Sequence, residues 1–240
     1  MYKVDRILGL DDIDSELLNK AQSIKIAVFG LGGLGCPALL YLVSGGYKNF
    51  TLVDFDTIDE SNLARQILYK LDDIGKYKAE VADREVKKIN PAMHNHVVIN
   101  RASDEEVARI VNSNDIILDC TDNFDARLKI SRFAKHSNKV LISGAVIRYE
   151  GQVTVFKNRL MDPCYECLYG VNNNPLENCV GSGVFSPLAG VIGSYMACET
   201  MKMALFDDSQ LVNQLHIFDL KQNLWVKAEI KRNSKCTACN

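Results

Sequence analysis

The chain has 240 residues, of which 47% are hydrophobic and 24% are charged, and its net charge is −2. These values are typical of a globular protein with a substantial core, and the near-balanced charge excludes a general nucleic-acid binder. The start of the chain does not resemble a signal peptide, and the weakly polar stretch 183–197 is shorter than the ~20 residues that a membrane span needs. We therefore expect a cytoplasmic protein that binds neither nucleic acid nor a membrane.

Strands and helices alternate through the first 148 residues. Apolar runs predict buried strands at 24–29, 50–53, 96–99, 116–118 and 140–142. Helical spacing and helix-ending residues predict helices up to residue 42, at 76–89 and at 124–136. This alternation predicts an α/β fold with a doubly wound, mostly parallel sheet.

The pattern changes after Tyr149. A strand of a different kind is predicted at 151–156, a long loop at 161–187, a helix at 187–205, and antiparallel strands at 215–218 and 224–230. We therefore predict one Rossmann-like domain, 1–240, whose parallel sheet carries a C-terminal antiparallel extension.

A glycine-rich loop joins the first predicted strand to the first helix. Gly30, Gly32 and Gly35 fit G-x-G-x-x-G, with Gly33 between them. Glycine at these positions allows phosphates to approach backbone N–H groups at the helix N-terminus. Asp54 closes the second strand, where an acidic residue can bind ribose hydroxyls. Taken alone, the loop indicates only a nucleotide or dinucleotide, and an NAD enzyme would be its commonest interpretation.

The residues that follow favour ATP. Asn62 can bind ribose or phosphate, and the cations Arg65 and Lys78 can neutralise a triphosphate, although spacing alone also allows surface charges. Asp122 ends the fourth strand, at the carboxyl edge of the sheet, and is a candidate magnesium ligand. A nicotinamide needs no such group of cations.

Two Cys-x-x-Cys pairs supply four thiolates, which suit tetrahedral structural zinc: Cys164, Cys167, Cys236 and Cys239. A thioredoxin-like redox pair and secreted disulfides are the alternatives. Of the other cysteines, we expect burial for Cys36, Cys120 and Cys198. We expect a structural or surface role for the histidines, which are His94, His96, His136 and His216.

Taken together, these motifs resemble the ThiF/MoeB/HesA family, the bacterial relatives of ubiquitin-activating enzymes. The matching segments are the glycine loop 30–35, Asp54-Phe55-Asp56, the runs 61–66 and 118–123, and the two cysteine pairs. The resemblance covers nearly the whole chain. It implies an enzyme that uses Mg-ATP to adenylate the C-terminal Gly-Gly carboxylate of a small ubiquitin-like sulfur carrier and releases pyrophosphate.

The resemblance also implies roles for individual residues. By position, Asp54 is similar to the ribose-binding aspartate, Asp122 to the magnesium and catalytic aspartate, and Asn62, Arg65 and Lys78 to ATP-binding and catalytic residues. The matched motifs add four residues to the expected nucleotide site, namely Gly33, Asp56, Gln66 and Asn123.

Two further roles are implied by position. Arg6 is similar to an arginine that reaches the nucleotide of the partner subunit in a homodimer, although Ile7 stands where glutamine is usual. Cys179 is similar to a loop cysteine that can link to the carrier or take part in sulfur transfer, although Val180 follows it where a polar residue is usual.

The resulting prediction is a homodimeric adenylyltransferase of a ThiS-like carrier for thiamine synthesis, with sulfur supplied by a separate donor protein. Residues 1–148 are its predicted nucleotide-binding half, and residues 149–240 its carrier-binding and zinc half. The alternatives are the same chemistry on a MoaD-like carrier for molybdopterin or on a peptide, an NAD-binding oxidoreductase, and a non-catalytic module stapled by zinc.

Overall fold

The protein is described by a computed structural model over residues 6–170 and 183–239. Its sheet is built from β1 Lys25–Phe29, β2 Asn49–Val53, β3 His94–Val98, β4 Ile116–Asp119, β5 Val140–Ile147, β6 Glu150–Phe156, β7 Gln214–Asp219 and β8 Leu224–Glu229. The eight strands lie in the order β3-β2-β1-β4-β5-β6-β7-β8. Strands β1 to β5 pair in parallel and β6 to β8 antiparallel, which confirms the predicted fold class.

Helices cover both faces of this sheet. They are α1 Ser15–Gln22, α2 Gly35–Ser44, α3 Lys78–Ile89, α4 Asp104–Ser113, α5 Phe124–His136, α6 Tyr165–Tyr169 and α7 Ser186–Phe206. Short 3-10 turns lie at Glu60–Asn62 and Leu71–Asp73. Among the described residues, no helix combines the length and the apolar character that crossing a membrane would require.

The central strand β1 divides the core into two layers. Ile26 and Val28 point to the layer that includes α2, α3 and α7, whereas Ala27 and Phe29 point to the layer that includes α4 and α5. Alternate side chains of a strand point to opposite faces, so a strand covered on both faces is apolar throughout. Each large aliphatic or aromatic side chain buried in this way contributes about 1.5–3 kcal/mol.

Three helices are missing from the sequence-based prediction. Helix α1 begins where Asp14 Oδ1 accepts the N–H of Leu17 at 2.7 Å, and α4 begins where Ser103 Oγ accepts the N–H of Glu106 at 3.3 Å. Both are N-caps that a search for capping residues finds. The five-residue α6 lies inside the predicted loop 161–187 and is too short to show a period.

The prediction of a buried Cys198 was wrong. This cysteine is exposed on α7, whereas Cys36 and Cys120 are buried as predicted. Helix α7 is apolar around most of its circumference, so its sequence does not show which face meets solvent.

The strand order brings the loops after β1, β2 and β4 together at the carboxyl ends of these strands. β1 lies between β2 and β4. After β1 the chain adds β2 and β3 on one side, and it then crosses over to add β4 on the other side. Ligands of open α/β sheets bind in the crevice at such a point, outside the carboxyl ends of the strands. Gly30, Asp54 and Cys120 each directly follow one of these three strands.

Candidate functional site

Two glycines of the loop after β1 are required by close backbone contacts. Gly30 has φ +87°, and a Cβ there would lie 2.8 Å from the Cys120 carbonyl oxygen. A Cβ on Gly35 would lie 2.0 Å from the carbonyl oxygen of Gly30. Any side chain at these positions would therefore push the loop away from the end of β4.

The peptide between these glycines is held on both sides. Leu31 donates its N–H to Asp54 Oδ2 at 2.7 Å, and its carbonyl accepts the Tyr69 hydroxyl at 2.7 Å and the Cys36 thiol at 3.2 Å. The other carboxylate oxygen of Asp54 accepts the N–H of Asp56 at 2.9 Å. Burial raises the pKa of the Asp54 carboxyl, while the Lys78 ammonium and these N–H groups act in the opposite direction. Asp54 therefore shapes the glycine loop, in addition to any contact it makes with a ribose.

The segment 61–66 lies against the glycine loop. Arg65 passes its side-chain methylenes beside Gly33, with its Cγ 3.5 Å from the position of a Cβ on that glycine. The Gln66 amide nitrogen lies 3.5 Å from the corresponding position on Gly32. Gln66 is buried, and its Oε1 has no hydrogen-bond partner among the residues that the structure describes. Such an unpaired buried acceptor is unusual in a folded protein.

The cationic groups differ in exposure. Lys78 is buried, and its Nζ lies 2.9 Å from Asp56 Oδ2. Arg65 is half-buried, and its guanidinium donates to the Ser61 carbonyl at 3.2 Å. Asn62 Oδ1 accepts the N–H of Asp59 at 3.2 Å. The structure thus brings Asp56 and Lys78 into direct contact and places the Arg65 side chain beside Gly33.

Asp122 lies in the loop that leaves β4. This loop touches the glycine loop, since the Thr121 nitrogen lies 3.1 Å from the position of a Cβ on Gly30. Asp122 is exposed, and within residues 6–170 and 183–239 its carboxylate has no hydrogen-bond or ion-pair partner. A free carboxylate at the sheet edge suits a magnesium ligand. Asn123 caps α5 instead, because its Oδ1 accepts the N–H of Ala126 at 3.0 Å.

Of the remaining two candidates, the structure describes only Arg6. Arg6 is exposed and is the first described residue, and within residues 6–170 and 183–239 no hydrogen bond or ion pair holds its side chain. Cys179 lies outside the described residues. The histidines do not converge on the glycine loop: three are exposed, and His216 is buried with its Nδ1 2.8 Å from the Tyr195 hydroxyl.

The four cysteines of the two pairs form one cluster. Their sulfur atoms all lie within 4.8 Å of one another, and the shortest separations are 3.4 Å for Cys239–Cys164 and 3.6 Å for Cys164–Cys236 and Cys167–Cys239. Tetrahedral zinc with Zn–S bonds of about 2.3 Å separates its sulfur ligands by roughly 3.8 Å. A disulfide requires about 2.05 Å. The donor set and its dimensions therefore fit zinc.

Polar groups around the cluster join it to α5. Glu166 is buried; its Oε1 accepts the N–H and the hydroxyl of Thr237, and its Oε2 pairs with Arg132 Nε at 2.9 Å. Asn233 donates its N–H to Cys167 Sγ at 3.4 Å. The C-terminal segment is thus attached to α6, and α6 to α5.

Sequence reasoning missed several residues that support the candidate nucleotide site. Tyr69 holds the Leu31 carbonyl, and it follows Gln66 by three positions. Asp119, Thr121 and Arg127 hold the loop around Asp122. Their side chains act on backbone groups, and a motif does not show which backbone group a side chain reaches.

Comparison with known proteins extends over almost the whole chain. The model of the ThiF family matches residues 4–238. A molybdopterin-synthase adenylyltransferase of Salmonella typhimurium is 36% identical over 239 residues, which cover 100% of this chain and 96% of that protein. A sulfur carrier protein ThiS adenylyltransferase of Escherichia coli is 33% identical over 237 residues, covering 99% and 94%.

Solved structures show the same fold. The crystal structure of Escherichia coli MccB with ATP has a TM-score of 0.81 and 21% identity, and the match covers 93% of this chain and 69% of that one. MccB with an N-formylated MccA has a TM-score of 0.79 at 21% identity, with coverage of 93% and 70%.

Proposed function

The chain belongs to the ThiF family, and on that premise we propose that it is an ATP-dependent adenylyltransferase of a small ubiquitin-like sulfur-carrier protein. It activates the carrier's C-terminal Gly-Gly carboxylate as an acyl-adenylate. The observation that carries this proposal is the convergence of the Arg65–Gln66 segment and the Asp122 loop on one glycine loop. Relatives that share at least 33% of their residues with nearly all of this chain are named adenylyltransferases.

The reaction needs charge stabilisation more than proton transfer. A carboxylate oxygen of the carrier attacks the α-phosphorus of ATP, the bond from that phosphorus to the α–β bridging oxygen breaks, and pyrophosphate leaves with the electron pair. The nucleophile is already ionised, so no general base is required, which agrees with the absence of histidines from the described part of the site. Lys78 and Arg65 offset the negative charge of the phosphates in the transition state.

Asp122 would hold magnesium. The ion supplies charge neutralisation at the phosphate oxygens when it is bound. Asp56 keeps the Lys78 ammonium in place, since the pair is already formed at 2.9 Å. The glycine loop offers its N–H groups to the phosphates, and Asp54 and Tyr69 hold that loop in shape.

The four-cysteine cluster would hold structural zinc. It has four protein ligands and leaves no position open for substrate, as in other closed zinc sites. Its role in the proposed enzyme is to fix the C-terminal segment on α6. We assign residues 1–148 to nucleotide binding, and residues 149–240 to the carrier and zinc.

Three further assignments rest on the family resemblance. Arg6 would act on the nucleotide of the partner subunit in a homodimer. Cys179 would react with the activated carrier or take part in sulfur transfer, and a separate donor protein would supply the sulfur. The carrier we propose is ThiS-like. Because the relatives named for ThiS and for molybdopterin synthase match at similar identities of 33% and 36%, the experiment below also includes a MoaD-like carrier.

ATP–pyrophosphate exchange with each purified carrier tests the proposal. We expect exchange with one carrier ending in Gly-Gly, and none with the same carrier lacking its last two residues. Asp122→Ala and Arg65→Ala should abolish exchange, whereas Cys179→Ala should retain it. Lys48→Ala is the matched control, because Lys48 is exposed at the amino edge of β2. Full exchange by Asp122→Ala would refute the assignment of Asp122.

A further inference from the structure

The backbone that leads into Asp122 is fixed by buried polar groups. Thr121 donates its N–H and its hydroxyl to Asp119 Oδ1 at 3.1 and 2.7 Å. Its carbonyl accepts a hydrogen bond from the Arg127 guanidinium. That carbonyl belongs to the peptide group that contains the nitrogen of Asp122, so the guanidinium holds the peptide from which the Asp122 carboxylate projects.

Arg127 and Asp119 are far from solvent. Arg127 is 4% exposed and Asp119 is 0% exposed, and Asp119 Oδ2 accepts the Ser143 hydroxyl at 3.1 Å. Burial alone would lower the pKa of the Arg127 guanidinium, but the neighbouring Asp119 carboxylate raises it, so Arg127 stays charged. The two buried charges compensate one another, so removal of either would leave the other uncompensated in the interior.

The opposite side of the guanidinium is closed by α6. Tyr165 and Tyr169 lie beside Arg127. The centroid of the Tyr165 ring is 4.6 Å from that of Tyr169 and 6.4 Å from that of Phe124. Cys164 is the residue before α6, so the cysteine cluster anchors the helix that backs Arg127. Arg127 therefore lies between α6, which the cysteine cluster anchors, and the loop that carries Asp122.

We propose that Arg127 is a positioning residue that fixes the Thr121–Asp122 peptide and thereby holds the Asp122 carboxylate at the metal–phosphate position. This inference rests on the proposed function, since it deepens the role of Asp122. A purely structural role would not predict a specific effect of magnesium. If Arg127 positions Asp122, loss of the guanidinium should reduce the gain in ATP affinity that magnesium provides. Binding of ATP without metal relies on the glycine loop and on Lys78, which Arg127 does not touch.

Calorimetric titration of the full chain with ATP, in magnesium and in EDTA, measures that contribution. In Arg127→Lys, which keeps a cation near Asp119 but loses the planar fork, we expect ATP affinity in EDTA within twofold of wild type. The gain in ATP affinity that magnesium provides should be about tenfold smaller. The exchange rate should fall roughly tenfold to a hundredfold.

Thr121→Val provides a second variant if Arg127→Lys does not fold. Thr121 is half-buried, and this change removes the hydrogen bond that its hydroxyl donates to Asp119. It should also reduce the gain in ATP affinity that magnesium provides, but by less than Arg127→Lys does. Lys129→Ala, on the same helix and partly exposed, should behave as wild type. Folded variants at both positions with a wild-type magnesium effect would overturn the inference. A wild-type chain that binds Mg-ATP but gives no exchange with any carrier would contradict the proposed function alone.

Discussion

Lys78 Nζ lies 2.9 Å from Asp56 Oδ2, and the lysine side chain is 8% exposed whereas the aspartate side chain is 54% exposed. The same two residues are joined through their backbones, because the Lys78 N–H donates to the Asp56 carbonyl at 3.0 Å. The ammonium is therefore placed before any nucleotide arrives, with a partner that solvent can reach. A preformed cation needs no rearrangement when negative charge develops.

Removal of the Lys78 ammonium should greatly reduce activity. We expect Lys78→Met to lower ATP–pyrophosphate exchange about a hundredfold or more, the size found when one preorganised donor is lost. Lys87→Met, at the exposed end of the same helix, is the control, since Lys87 pairs with Asp83 at 2.8 Å away from the glycine loop. Exchange by Lys78→Met within threefold of wild type would exclude a direct role for this lysine.

Loss of the Tyr69 hydroxyl should weaken ATP binding moderately. Tyr69→Phe keeps the buried ring and removes the 2.7 Å bond to the Leu31 carbonyl. One such hydrogen bond contributes about 1 kcal/mol, so we expect KM for ATP to rise about fivefold. Tyr41→Phe, at a residue that is 60% exposed, serves as the control in the same steady-state assay. An unchanged KM would show that the glycine loop keeps its shape without this bond.

Metal analysis should give one zinc per chain. Burial raises the pKa of Cys164 and raises that of Cys236 to about 11, so both would be neutral thiols without a cation to bind. Cys236→Ser should lose the zinc and about 4 kcal/mol of stability. For a chain of this length, that loss lowers Tm by roughly 8–16 °C. Cys198→Ser should keep both zinc and Tm; a folded, metal-free wild type would contradict the assignment.

Stability in acid should depend on Glu85. Its hydrogen bond with Lys88 at 2.7 Å lowers the pKa of this carboxyl from 4.5 to about 2, with Arg84 contributing. The stabilisation is complete above pH 4.5 and is lost as pH falls toward 2. Because the partner lysines are exposed, we expect Glu85→Gln to cost only about 1–2 kcal/mol at pH 7.

Urea unfolding at several pH values measures this effect. The difference between wild type and Glu85→Gln should shrink steadily as the pH is lowered below 4.5. Glu80→Gln, an exposed change on the same helix, should show a small difference that does not vary in this way. A constant difference for Glu85→Gln would mean that the lost stability is not electrostatic.

Sequence predicts most of this fold because its parallel strands are apolar runs that end in functional residues. β1 ends just before Gly30, β2 just before Asp54 and β4 just before Cys120, and these junctions locate the candidate nucleotide site without coordinates. The spacing of the two cysteine pairs likewise predicts a cluster that the structure assembles. Helices α1 and α4 were missed although their N-caps are visible in the sequence.

What sequence does not predict is which backbone group each buried side chain reaches. Arg127 stands in an amphipathic helix as one of several basic residues, and only the packing of α5 on β4 brings it to the Thr121 carbonyl. Asn123 appears in a nucleotide-binding motif, yet its side chain caps α5. The contact of Arg127 depends on how α5 packs, which the local pattern does not encode, whereas the Asn123 cap spans three residues and can be recognised in the sequence.

The central claim is that this chain joins AMP to the C-terminal carboxylate of a carrier protein. Intact mass spectrometry of the ThiS-like and MoaD-like carriers after incubation with the full chain and Mg-ATP tests it directly. We predict that one carrier gains the mass of one AMP less one water, and that hydroxylamine displaces this AMP and leaves the carrier as its C-terminal hydroxamate. Unmodified carriers under conditions where the chain binds ATP would contradict the claim.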